Sequence, residues 1–124
     1  MGVEETTNMS SILCSVRKAL DTDSYYDDQL ILYINTVFAT LAQDGVGPSG
    51  GFKITGEDET WDDYLEGLYD PENVYSIIQT YVALSVKIVF DTPTGSVLGA
   101  IQEILKEYKW RLQEEFDRGK KHEQ

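Results

Sequence analysis

The chain has 124 residues, 41% of them apolar, and a formal net charge of −12 from 10 Lys+Arg against 22 Asp+Glu. That length fits one domain with a real core, and that apolar share excludes global disorder. A surface this negative argues against wrapping nucleic acid, which needs cations to displace counterions, and no apolar run is long enough to span a bilayer.

The opening MGVEETTNMSS is acidic and polar, unlike a secretory signal. Its MG followed by VEET matches the loose spacing of a myristoylation site, but the acids would repel anionic lipid. Residues 1–9 read as a disordered extension, residues 10–118 as one helical domain and 119–124 as a frayed charged tail.

The first predicted helix covers about Ser10 to Leu20, with Leu13, Val16 and Leu20 at helical spacing and Ser10 or Ser11 as its cap. DTDSYYDD then breaks the chain with turn residues. The second helix spans about Asp28 to Gln43, where Leu30, Ile34, Val37, Phe38 and Leu41 form one stripe. Asp27 and Asp28 sit at the favourable positive end of its dipole. Gly45 fits the left-handed position that ends a helix. The stretch GFKIT reads as a short strand or hairpin arm on a mobile Gly-rich loop, with Phe52 and Ile54 on one side.

A short third helix is predicted over Trp61 to Glu66, capped by Thr60, with Asp63 completing an approximate capping box. Asp70 is a good N-cap for the fourth helix, and Pro71 fits its first position. From Val74 to Phe90 this helix is apolar nearly all round, so it is buried on most sides or covered by another subunit. DTPTGS is a breaker. The fifth helix runs from about Ser96 past Phe116, with Val97, Ile101, Ile104, Leu105, Tyr108, Leu112 and Phe116 as its apolar stripe. Gly119 and the charged tail should let it fray. At roughly 100° per residue, Trp110 falls half a turn away from that stripe. A large aromatic there should cover another surface, either a loop of its own chain or a neighbouring subunit, and tryptophan is enriched at interface hot spots. The predicted fold is therefore all-α, a small bundle of four to five helices with a long loop or arm between the second and third.

The charge is uneven. From Gly51 to Asp91 the only cations are Lys53 and Lys87, whereas from Thr92 onward cations and acids balance. Such asymmetry suits ordered contact between copies or partners, although it also fits a solvated face.

Catalytic chemistry finds little support. GVGPSGG lacks the phosphate-loop lysine and follows a helix C-terminus, whose dipole disfavours phosphate. The acids from Glu57 to Glu66 do not follow a calcium-loop pattern and have no basic partner close in sequence. The single cysteine, Cys14, lies beside the apolar stripe of the first helix, which suits packing and excludes an internal disulfide. A cytoplasmic origin fits. His122 is the only histidine and falls in the charged tail, which leaves no histidine triad or common zinc site. No enzyme, cofactor or metal centre is expected.

Several motifs in order carry a resemblance over about Ser11 to Leu112. They are ILCSVRKALD, then the INTVFATLAQDGVGP helix end, the F-K-I arm, the TWDDYL helix, and YVALSVKIVFDTPTGS leading to WRL. In these the chain resembles the head–tail connector (head-completion adaptor) family of siphovirus-type bacteriophages and prophages. It departs from the family pattern in its single-proline breaker and in residues 1–9. The resemblance implies a virion structural protein that forms a ring, dodecameric by analogy, beneath the portal protein. The ring would join the capsid to a stopper or tail protein, with DNA passing through its channel, after assembly in the host cytoplasm. Trp110, Tyr81, Phe52 and Ile54 are the candidate contact residues. Two alternatives from other classes are an acidic DNA mimic that binds a basic host protein and a small metal enzyme built on the Glu57–Glu66 acids.

Overall fold

The computed structural model describes residues 10–66, 68 and 71–122. Among them are five α-helices: α1 (Ile12–Ala19), α2 (Asp27–Gln43), α3 (Trp61–Leu65), α4 (Tyr75–Phe90) and α5 (Gly95–His122). Two 3-10 turns, Ser24–Tyr26 and Pro71–Asn73, lead into α2 and α4. The all-α expectation holds.

Local chemistry sets most of the boundaries. Ser11 caps α1, its hydroxyl accepting from the Cys14 amide at 3.3 Å. After α2, Gly45 takes φ +85°. Its N–H donates to the Ala42 carbonyl, and the next N–H, of Val46, reaches back to Leu41 at 2.9 Å. Two orphan carbonyls are thereby satisfied, and Val46 is buried against the helix it has just left. Thr60 and Asp63 form the expected capping box at α3, with exchanged bonds of 3.1 and 3.0 Å. Asp70, the predicted cap of the fourth helix, lies outside the described residues. Pro71 opens a 3-10 turn instead of the α-helix itself.

The central element is α4, which packs against α1, α2, α3 and α5. This explains a helix that is apolar nearly all round: its own chain covers most of it. Ile78, Val82 and Val86 are fully buried among Leu30, Ile34, Phe38 and Leu41 of α2 and Leu13 and Val16 of α1.

The expected strand or arm at GFKIT is neither a strand nor free. Asn35 of α2 binds the backbone of Ile54 on both sides, and Ile54 is only 2% exposed. Phe52 packs edge-to-face on Phe38 at 5.4 Å and on Tyr64 at 5.2 Å, while Phe38 and Tyr64 stack at 4.7 Å. This three-ring knot draws the segment into the core. Sequence pattern could not show it, because a side-chain amide supplies the bonds that a partner strand would otherwise make.

The stripe of α5 is only partly buried. Leu112 and Phe116 join the core, but Val97 and Ile104, predicted to lie inside, are 55% and 40% exposed. Among the α-helices, α5 leans chiefly on α4, so its first turns have too little facing surface to cover the stripe.

Candidate functional site

No group of three or more His, Cys, Asp or Glu side chains among the described residues is placed to hold a metal ion. Several of the Glu57–Glu66 acids instead have structural partners. Arg17 reaches Glu57 at 2.8 Å and also grips Asp27 through bonds of 3.1 and 2.8 Å. It thereby ties α1, the start of α2 and the loop after α2 together. Desolvation opposes the charge on Arg17, but the two carboxylates outweigh it and hold the guanidinium more firmly protonated than usual. Glu59 folds its own loop, accepting from the Thr55 amide at 3.0 Å, the Thr55 hydroxyl at 2.9 Å and the Gly56 amide at 3.4 Å. Burial pushes the Glu59 carboxyl up, yet these donors prevail and leave it below the ordinary value. Asp63 serves the capping box. A nucleophile with a base and an orienting group does not assemble at these positions.

Cys14 is half-buried, with its sulfur 3.8 Å from an Arg17 nitrogen. The buried polar pair is elsewhere: the Trp61 indole N–H donates to Ser15 Oγ at 2.9 Å, and Ser15 donates on to the Ile12 carbonyl at 3.0 Å. This chain satisfies the one polar atom of a fully buried tryptophan and carries no chemistry.

The structure separates the four predicted contact residues into two groups. Ile54 is buried in its own chain and Phe52 is half-buried against Phe38 and Tyr64, so neither lies on a free arm and Ile54 is withdrawn as a contact residue. Trp110 is 61% exposed, as its position off the α5 stripe predicted, and no loop among the described residues folds over it. Tyr81 is almost fully buried, yet its edge meets the same feature. Between α4 and α5 lies a groove of about 610 Å³ walled by Tyr81, Ile88, Leu105 and Trp110, with Lys106 and Lys109 along it. A second depression, of about 370 Å³, runs on the other flank of Trp110 past Ile77 and Arg111. The tryptophan thus stands as a ridge between two grooves. Burial pushes the Tyr81 phenol up, which keeps it a neutral wall of the groove.

Lys109 is anchored rather than free. Its ammonium lies 2.8 Å from the buried Oδ2 of Asp44, the residue that ends α2. The bond to Asp44 raises the ammonium above its ordinary value, against a smaller desolvation. Gln113, one turn on, donates to the Asp44 backbone carbonyl at 3.2 Å. Together they fix α5 to the end of α2 and set the angle at which Trp110 is presented. The sequence showed Trp110 as an outlier. It did not show the groove, which exists only once α4 and α5 are packed.

The described helices include none long and apolar enough to cross a membrane. The family model described as "Phage connector protein" matches residues 12–119. Neither a curated protein nor a solved structure matches the chain.

Proposed function

The chain belongs to the phage connector protein family, and from that premise we propose that it is a head-completion adaptor that forms a ring beneath the portal. Membership makes it a structural component of a phage particle. In our reading, copies pack side by side around a symmetry axis and join the filled capsid to a stopper or tail protein. DNA passes through the channel without sequence-specific binding.

The observation that carries this reading is the exposed Trp110 between two grooves on α5. A 61% exposed tryptophan on α5 is apolar area that a partner's surface can bury. Truncation of such a residue commonly costs binding where a partner covers it. The net charge of −12 fits a conduit along which DNA slides, because a surface that grips DNA needs cations. Glu57, Glu59 and Asp63 have structural partners, which weakens the case for a metal enzyme built on these acids.

The test is electron microscopy of particles from a null mutant. DNA-filled heads that fail to join tails are the expected result. Normal tailed particles would refute the role, and capture of a nucleic-acid-binding host protein in place of portal would favour the DNA-mimic alternative.

A further inference from the structure

Tyr25 is the most exposed of the large apolar and aromatic side chains described, at 84%. It is nevertheless held in place. Its amide donates to the Asp23 carboxylate at 3.0 Å, which caps the 3-10 turn. Its ring packs edge-on against Tyr26 at 4.9 Å, and Tyr26 packs against Phe90 at the end of α4 at 5.3 Å. An aromatic knob therefore projects from the start of α2 on a fixed base. Asp21, Asp23 and Asp28 flank it, all exposed and none in an ion pair among the described residues.

With a net charge of −12, two copies repel each other unless a cation of one meets an acidic patch of the other. Among the cations whose side chains are described, few remain for that. Arg17, Lys87, Lys109, Arg111 and Arg118 are all paired within the chain. Of Lys18, Lys53 and Lys106, which form no ion pair among the described residues, only Lys106 lines the groove beside Trp110. That groove offers aromatic and aliphatic walls, a free ammonium and room for an aromatic side chain.

We propose that the Tyr25 knob of one copy seats in the Tyr81–Trp110 groove of the next, with Lys106 facing the knob's carboxylates. The inference rests on the connector reading above and names the contact through which that ring is built. Knob and groove are different patches of one chain, so the contact is head-to-tail and closes into a ring when the rotation allows. Tyrosine and tryptophan meeting in a desolvated pocket is the pairing that interface hot spots favour. An ammonium beside the tyrosine ring adds attraction to its face.

Sedimentation velocity over a concentration series tests it, on wild type, Tyr25→Ala, Trp110→Ala and Lys106→Glu, with circular dichroism to confirm that each exposed-site variant folds. Wild type should self-associate, and each variant should do so at least about tenfold more weakly. A one-to-one mixture of Tyr25→Ala and Trp110→Ala should stop at heterodimers, because only one intact knob and one intact groove remain. Adding Asp28→Lys to Lys106→Glu should restore association. Wild-type oligomers that Tyr25→Ala and Lys106→Glu leave unchanged would overturn this contact while leaving the connector role intact. If Trp110→Ala lost portal binding but not self-association, the groove would belong to the portal and the proposal would fail. A wild type that stays monomeric at every concentration and with portal present would remove the ring and this contact together.

Discussion

Asn35 holds Ile54 by two hydrogen bonds: the Ile54 N–H donates to Asn35 Oδ1 at 2.8 Å, and Asn35 Nδ2 donates to the Ile54 carbonyl at 3.0 Å. One side chain on α2 thereby does the work of a neighbouring strand for the segment after Gly51. Asn35→Ala leaves a buried N–H and a buried carbonyl without these partners. We expect a loss of about 2–3 kcal/mol in urea unfolding, since each orphaned group carries its desolvation cost. Amide exchange should show the Ile54 N–H losing protection. An unchanged exchange rate would mean the segment is held by Phe52 alone.

The reassignment of Ile54 from contact arm to core has a direct check. Ile54→Ala should destabilise by about 2–5 kcal/mol, as a cavity in a packed interior does. Trp110→Ala should change stability by no more than about 0.5 kcal/mol, as exposed sites do, while abolishing tail joining. Thermal melts of both variants beside a phage-assembly assay separate the two roles. Equal destabilisation would place Trp110 in the fold rather than at a contact.

Gly47 is required for two reasons. Its φ is +110°, and a Cβ there would lie 2.8 Å from the Tyr64 hydroxyl. Tyr64 is held in the stacked aromatic knot and cannot swing away freely. Gly47→Ala should therefore cost about 2 kcal/mol or more in equilibrium unfolding. Gly45→Ala, which is strained in φ but meets nothing, should cost less.

The Lys109–Asp44 pair is partly exposed, at 38% and 29% of the two side chains, so solvent screens much of its attraction. A double-mutant cycle should return about 0.5–1 kcal/mol of coupling. The sign with pH follows from the raised ammonium. The contribution is complete below the ordinary lysine value of 10.5 and is lost as pH rises through the higher folded value. Wild type and Lys109→Met melts should therefore converge in strong alkali.

Glu59 behaves in the opposite sense. Its folded carboxyl lies below the ordinary value of 4.5, so its contribution is present above that pH and fades as pH falls through the folded value. The difference in melting temperature between wild type and Glu59→Gln should be constant from pH 7 to 5 and shrink on further acidification. A difference that grew in acid would contradict the bonding to Thr55 and Gly56.

The boundary chemistry was legible in the sequence because it is local. The Thr60–Asp63 box, the left-handed Gly45 and the acids opening α2 each follow from residues within a few positions of one another. The stripe of α2 and the misfit of Trp110 followed from helical periodicity alone, and the ordered motifs from INTVFATL to WRL pointed to the family that matches residues 12–119. What stayed hidden depended on distant partners. The bond from Asn35 to Ile54 spans 19 positions and that from Trp61 to Ser15 spans 46, so neither leaves a periodic trace. Val97 and Ile104 kept their place in the pattern but found too little facing surface, because α5 has chiefly α4 to lean on. The groove beside Trp110 likewise exists only where α4 and α5 meet. Periodicity fixes which face of a helix is apolar. Only tertiary packing decides whether that face is covered by its own chain or left for a neighbour.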